Sequence, residues 1–387
     1  MAKIVPIQDV RTQYFDHCFI ALGLIENDSR TLNIIRTLLK KKQKICLIGR
    51  VSNLSNDILP SYDVTIIPVV KYNDRRFLTL WIDFIKAVFP LTHKIKAGIY
   101  WSQDLNILPL VTFIAKVNGG RLNYDAREVY TALGTVHDEP FKQKVISGIE
   151  RYLIHKVDMT YTSGPLDSDY LRDLYAMPRP DVVMNLPPYQ EVEKTNKIRS
   201  YFKLEKDKQI ILYQGLLGKG RGILKIIRTL PYLDNVVLCL IGHGRYIDTI
   251  IKEVKRLDVE NKVLMMGRVP YDELMPWTTS ADLGLAFIEP VSLSYQFALP
   301  NKLFEYCMAG IPSLVSDLPA MRPVLQEYEI GKLVSPDVHP KELALHIREL
   351  LDNDEKVKFS KNCKIASKYF NWEHQEDTIL KLAGLQS

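Results

Sequence analysis

Lys302 and Glu305 stand three residues apart in LPNKLFEYCMAGIPSLVSD, residues 299–317. The stretch predicts a short helix that stops abruptly and feeds a buried strand. Pro300 suits the first turn, and Asn301 can cap the exposed N–H groups. Leu303, Phe304, Cys307 and Met308 supply an apolar face. Gly310 suits the left-handed position after the helix, and Pro312 forbids its continuation. Spacing i,i+3 puts Lys302 and Glu305 on one face at the N-terminal end. A cation beside the positive end of a helix makes an anion site, best suited to phosphate. A carboxylate one turn on can accept hydrogen bonds from sugar hydroxyls. The alternative is a surface ion pair on an ordinary helix.

A second candidate is QIILYQGLLGKGRG, residues 209–222, a strand running into a glycine-rich turn and then a helix. Gly215, Gly218, Gly220 and Gly222 allow close backbone approach, and Lys219 and Arg221 add positive charge. Diphosphate is the natural guest. Neither the P-loop pattern nor GxGxxG is met. Two further strand exits follow, Gly242–His243–Gly244 and MMGRV at 265–269, the latter carrying Arg268 and Val269. All three exits and the helix after Pro300 are expected on one sheet edge. In the first half, NYDAREV (residues 123–129) groups Asp125, Arg127 and Glu128 at a predicted loop-to-helix start, with His137, Asp138 and Glu139 close behind. Asp125 or Glu128 is the candidate to face a ligand there. Asp167–Ser168–Asp169 and Asp352–Asn353–Asp354 have the look of metal–diphosphate motifs but read as caps and turns of polar linkers. No histidine pair has zinc spacing and no GxSxG elbow is present, so no metal site is expected.

Strand-like and helix-like segments alternate along the whole chain, the pattern of parallel sheets covered by helices. In the first half strands are predicted near 17–24, 44–47, 64–69, 97–100 and 159–162. Helices are predicted at 29–42, 77–89, 105–118 and 140–156. A Pro- and charge-rich stretch at 177–208 reads as a domain junction. The second half predicts strands at 209–214, 235–241, 262–266, 283–288, 313–316 and 332–334, and only helices from residue 340. The expected architecture is α/β, two Rossmann-like doubly wound domains facing a central cleft, with domains at 1–190 and 191–370. A C-terminal helix within 371–387 is expected to pack back toward the first domain. In such folds ligands bind beyond the carboxyl ends of the strands.

Composition sets outer bounds. The 387 residues are 47% hydrophobic and 25% charged, enough for two ordinary cores. No apolar run reaches the ~18 residues of a membrane-spanning helix. Five scattered cysteines without a CxxC pair suit a reducing compartment, so the expected location is cytoplasmic. Up to residue 200, 27 Lys and Arg face 21 Asp and Glu, while the remainder holds 24 of each. The excess clusters at Arg36, Lys40, Lys41, Lys42, Lys44 and Arg50, and again at Lys86, Lys94 and Lys96 among Trp81, Phe84, Phe89, Tyr100 and Trp101. Such patches suit an anionic membrane or glycolipid, giving a peripheral contact at the inner membrane face. No nucleic-acid-binding motif accompanies them.

Four segments in order, YQGLLGKGRGILKII, VVLCLIGHGR, VLMMGRVPYDELMPWTTSADLGLAFI and the stretch from Leu299, make the second half resemble the nucleotide-sugar domain of GT-B glycosyltransferases, particularly retaining family 4. The resemblance implies sugar transfer from a nucleoside-diphosphate sugar to a glycan or glycolipid hydroxyl, with retention and without a metal or other cofactor. UDP- and GDP-sugars are not distinguished. It implies that Arg221, Lys302 and Glu305 are the catalytic residues, Glu305 holding the ribose and Arg221 the diphosphate with help from Lys302. Donor contacts would extend to Gly215, Lys219, Gly220, Gly242, Arg268, Val269, Asn301 and Leu303, the base being met near Arg268 and Val269. Asp125, Arg127 and Glu128 would lie on the acceptor or sugar side. Two departures stand out: Phe297 occupies the position of the first glutamate of the family's E-x7-E motif, and Leu216 follows Gly215 where an arginine is common. The first half also has GLIENDSRT after its first strand instead of a glycine-rich loop. The rival readings are a nucleotide-sugar epimerase of the same fold and an inactive GT-B subunit that binds a partner protein.

Overall fold

A computed structural model describes residues 3–51, 63–71, 77–133 and 139–386. His137 and Asp138 lie outside the described residues. The chain divides into two units, Met1–Met184 with Gln375–Ser387, and Asn185–His374.

The first unit is built on eight strands: β1 (Lys3–Ile4), β2 (Gln13–Leu24), β3 (Ile45–Val51), β4 (Val64–Lys71), β5 (Ile95–Ser102), β6 (Arg121–Ala126), β7 (Met159–Thr162) and β8 (Asp181–Val182). Their order is β1-β4-β3-β2-β5-β6-β7-β8, and every pairing is parallel. All seven residues of β3, ICLIGRV, are buried, because helices cover both faces of a parallel sheet. The β3–β4 side and the β5–β8 side lie on opposite flanks of β2, so strand order reverses between β2 and β5.

Strand β6 overturns one expectation. Residues 123–126 are sheet rather than a loop leading into a helix. Leu122, Tyr124 and Ala126 join the apolar core, and the intervening Asn123 and Asp125 are equally buried on the other face. Two buried polar residues in a strand leave no readable alternation. They are tolerated because each has a partner: Asn123 donates from Nδ2 to the Leu382 carbonyl at 2.8 Å, and Asp125 is paired with Arg30. Asp167–Asp169 likewise lies inside helix Pro165–Tyr175, not in a linker, whereas Asp352 caps helix Asn353–Ala366 by accepting from the Asp354 N–H.

The chain's last residues belong to this unit. Gln375 accepts from the Met184 N–H at 2.6 Å and donates to the Met184 carbonyl at 2.8 Å, so the two strands of chain that leave the unit are pinned to each other. Helix Glu376–Leu382 then adds the Lys40–Glu376 and Lys381–Asp181 ion pairs.

The second unit holds β9 (Gln209–Gln214), β10 (Val236–Ile241), β11 (Val263–Gly267), β12 (Leu283–Ala286), β13 (Ser313–Ser316) and β14 (Gly331–Val334). The order is β11-β10-β9-β12-β13-β14, all parallel. Counted within the unit this is 3-2-1-4-5-6, the doubly wound arrangement with its switch point between β9 and β12. Ile211, Tyr213, Leu238, Leu240, Leu283 and Leu285 pack one face against the flanking helices, and Ile210, Leu212, Val237, Cys239 and Ile241 pack the other. The segment 340–382 is helical apart from its turns, as expected. A short helix, Leu293–Gln296, is one that sequence periodicity did not reveal. The five cysteines are free and buried. Among the described residues no helix is long and apolar enough to cross a membrane, and no group of three His, Cys, Asp or Glu is placed to hold a metal ion.

Candidate nucleotide-sugar site

Helix Asn301–Met308 begins beyond β12 and carries Lys302 and Glu305 at the carboxyl-end edge of the sheet. Pro300, not Asn301, is the residue before its first turn, and no side chain caps it. Its leading N–H groups are therefore unspent by capping, as an anion site requires. The helix ends as expected, with Gly310 at φ 69°.

Lys302 and Glu305 are both buried, and each is held by a partner other than its neighbour. The Lys302 ammonium lies 3.5 Å from the centroid of the Tyr213 ring, and its end sits against the open side of Gly215. Burial and the nearby Arg221 charge hold its pKa well below the ordinary lysine value, against the pull of Glu305. Glu305 accepts from the Gln214 side-chain amide, and Gln214 in turn accepts from the Thr278 hydroxyl at 2.9 Å. Burial pushes the Glu305 carboxyl above its ordinary value, opposed by that hydrogen bond and by Lys302. A relay of three side chains thus fixes the carboxylate's direction and leaves it acceptor capacity.

Arg221 completes the cluster. Its guanidinium stands 4.8 Å from the Tyr295 ring centroid, and its buried Nε has no hydrogen-bond partner among the described residues. A buried N–H without an acceptor is a donor open to an anion. Lys219 is exposed nearby and Gly220 is buried under Tyr295 and Val291.

The turns are knitted by backbone. Gly215 donates to Ile241, Gly242 to Gly267 and Leu217 to His243, at 2.8–2.9 Å. Gly242 has φ 145°, and a Cβ there would meet the Gly215 carbonyl at 1.8 Å. Gly242→Ala is expected to force the two turns apart and cost more than about 3 kcal/mol. A thermal unfolding midpoint unchanged from the parent would contradict this packing. Arg268 is exposed and Val269 is half-buried at the next exit, while Asn301 is half-buried and Leu303 fully buried. The Leu303 side chain therefore belongs to the core and is closed to a ligand.

The first unit gathers its own polar cluster at the carboxyl ends of β5, β6 and β7. Asp125 is wholly buried and pairs with Arg30 and with Arg127, whose Nε lies 2.9 Å away. Arg127 also reaches Asp28 at 2.8 Å and donates to Thr31 and Gln103 at 2.7 Å. Arg30 donates to the Val183 carbonyl at 2.9 Å. Asp125 is thus the hub of a structural network, while Glu128 is exposed and Arg127 reaches solvent at 28% of its side chain.

The Ser163 hydroxyl lies 2.9 Å from Asp167 Oδ2 and 2.8 Å from the Arg127 carbonyl, and its single proton is shared between these two acceptors. Burial pushes the Asp167 carboxyl up to about 7, despite Ser163 and Arg30 and helped by Glu128. The folded protein then holds a proton that the unfolded chain has already lost above about pH 4, so this carboxyl's contribution to stability falls as pH rises from 4 to 7. The slope is at most about 1.4 kcal/mol per pH unit. Asp167→Asn is expected to flatten the fall of the unfolding midpoint across that window, as followed by urea unfolding at pH 4.5, 5.5, 6.5 and 7.5.

Residues 194–368 match the model of the family described as Glycosyl transferases group 1. Solved structures share the fold. The Anabaena protein HepE, solved in complex with UDP, is 14% identical with a TM-score of 0.71 over 96% of this chain and 100% of that one. WaaG, a glycosyltransferase involved in lipopolysaccharide biosynthesis, is 15% identical with a TM-score of 0.70 over 94% and 99%. Sucrose-phosphate synthase from Thermosynechococcus elongatus is 16% identical with a TM-score of 0.74 over 96% and 98%. Comparison with curated proteins finds no match. The chain has the GT-B fold.

Sequence reasoning about this GT-B chain overlooked several side chains. Tyr213 and Tyr295 flank the two cations, and Gln214 and Thr278 aim Glu305. Only Gln214 had a visible signal, a polar residue closing an otherwise apolar strand. Tyr295 lies in the unforeseen helix, where no periodicity marked it. Phe297 directly follows that helix, half-buried, with its N–H donated to Leu293.

Proposed function

We propose that the protein transfers a sugar from a nucleoside-diphosphate donor to a hydroxyl of a glycan or glycolipid, as a retaining enzyme of glycosyltransferase family 4. One observation carries the reading: two buried or half-buried cations, one with an orphan donor, converge with an oriented carboxylate on the switch-point edge of a doubly wound sheet. Charge develops on the leaving diphosphate, and Arg221, Lys302 and the helix N–H groups stand where they stabilise it, so the step needs no metal. Glu305 binds the ribose hydroxyls, and the turn at Arg268 and Val269 meets the base. With no side-chain nucleophile assigned, the leaving phosphate assists the incoming hydroxyl. Because HepE was solved with UDP and with UDP-glucose, a uridine donor is the first to test. The decisive assay incubates the protein with UDP- and GDP-sugars, with and without glycolipid acceptors, in the presence of a chelator. Acceptor-dependent release of nucleoside diphosphate with a retained anomeric centre is expected. Donor conversion without acceptor would instead indicate an epimerase.

We also propose that the first unit meets an anionic membrane. Phe84, Tyr100 and Trp101 are core residues, so these three of the aromatics first grouped with Lys86, Lys94 and Lys96 take no part in the contact. Support comes from Phe89 and Phe113, both exposed and stacked 5.5 Å apart, and from Phe141, Val145, Ile149 and Tyr152 at i,i+4,i+8 and i+11 along helix Pro140–Ile154. Lys156 lies 3.5 Å over the Tyr152 ring, and Lys116 is close enough to act on Tyr152. Apolar side chains bordered by lysines suit an interfacial contact. Co-sedimentation with phosphatidylglycerol vesicles is expected to fall at least ~5-fold for Phe141→Glu/Tyr152→Glu, and to be weak for neutral vesicles.

A further inference from the structure

The second unit has a cavity on the edge opposite its nucleotide-sugar residues. It is a half-open depression of about 340 Å³ at the amino ends of β12 and β13. That is within the range of small-molecule sites, at its lower end. Its lining sets half-buried Lys356 and exposed Lys194, Lys361 and Lys364 against a single carboxylate, Asp282.

The charge balance is uneven. Asp282 Oδ1 is shared by Lys194 at 3.2 Å and Lys356 at 3.5 Å, and its Oδ2 accepts from the Ile210 N–H at 3.0 Å. The carboxylate is therefore fully engaged. Lys361 and Lys364 make no ion pair or side-chain hydrogen bond among the described residues, and neither does the Ser360 hydroxyl beside them. Helix Asn353–Ala366 sets Lys356, Ser360 and Lys364 at i,i+4,i+8 and so turns them to one side. The opposite wall is apolar, formed by Ala281, Ile311 and Pro312.

We infer that this cavity binds a small phosphorylated molecule. Lysine ammoniums recognise phosphoryl oxygens as point charges with freely rotating donors. An open hydroxyl between them adds a further donor or acceptor. The lining has no Phe, Tyr or Trp, so no platform exists on which a nucleobase could stack. The ligand is accordingly a phosphate ester or oligophosphate without a base, its apolar or sugar portion lying against Ala281, Ile311 and Pro312. The site is separate from the nucleotide-sugar cluster. Ala309 and Gly310, which line the cavity, close the helix whose first turn bears Lys302. At 1.5 Å per residue the two sites lie roughly 12 Å apart along that helix.

Inorganic pyrophosphate is the probe. Titration calorimetry uses the full chain carrying Arg221→Ala and Lys302→Ala, which silences the other phosphate site, and the same protein with Lys361→Ala and Lys364→Ala added. Submillimolar binding by the first protein, weakened at least tenfold in the second, is expected. Absence of binding below 10 mM in the first, or equal binding by both, overturns the inference. Hydrogen exchange on the unaltered chain provides a control independent of substitutions. Pyrophosphate is expected to protect residues 309–312 and 356–364, and no added protection there overturns the assignment as well.

Discussion

Lys302→Ala is expected to lower kcat/KM for sugar transfer by about 10²–10³-fold, the loss of one preorganised charge at a developing anion, or about 3–4 kcal/mol of transition-state stabilisation. The apo protein is expected to gain stability at the same time. Lys302 is buried with no ion pair among the described residues, lying over the Tyr213 ring and near Arg221, so folding bears the cost of desolvating it. Its lowered pKa carries a sign. Between the folded value and the ordinary lysine value the unfolded chain binds the extra proton, so stability rises with pH through that window. Lys302→Met removes the charge and keeps the packing, and its unfolding midpoint is expected at or above that of the parent at pH 7. Transfer kinetics and thermal unfolding on the same variants check both halves. Undiminished transfer by Lys302→Ala would remove Lys302 from the phosphate site. A large fall in stability would show that the lysine serves the fold instead.

The second large effect is in the other unit. Asp125→Ala leaves the guanidinium of Arg30 buried without its carboxylate, while Arg127 keeps Asp28. Stranding a buried charge costs about 3–5 kcal/mol. For a unit of this size that corresponds to a fall of about 10 °C in the unfolding midpoint. Burial raises the Asp125 carboxyl above its ordinary value while Arg30 and Arg127 pull it down. Such a network survives only intact. Arg30→Met combined with Asp125→Leu is expected to recover much of the loss, since an apolar pair of similar volume often replaces a buried ion pair without penalty. Equal unfolding midpoints for the parent and Asp125→Ala would mean that the cluster is not structural. Scanning calorimetry of the three proteins decides it.

The second unit was legible because its chemistry is local. Strand 209–214 appears with the bounds read from its apolar run, and the strand at 313–316 appears likewise. Alternating apolar runs and amphipathic stretches imply parallel sheets with few alternatives. Glycines at strand exits with basic neighbours mark a candidate anion site on short-range grounds alone. The first unit was harder. Strand β6 carries Asn123 and Asp125 inward, and their partners Leu382 and Arg30 lie 259 and 95 residues away. No window of sequence contains both members of such a pair, so the polar residues mimic a loop.

Burial set the remaining difference. Lys302 and Glu305 looked able to pair on a surface, since spacing fixes which residues share a helix face but not what covers that face. In the fold Gln214 takes Glu305 and Tyr213 lies under Lys302, so the two charges part and neither is spent on the other. The amino-acid sequence by itself determined two parallel α/β layers and the place where a phosphate could lie, because propensity, periodicity and turn chemistry act within a few residues. Only the tertiary structure decided which charges are spent on holding the fold and which stay free for chemistry. That division depends on desolvation and on partners brought from distant parts of the chain.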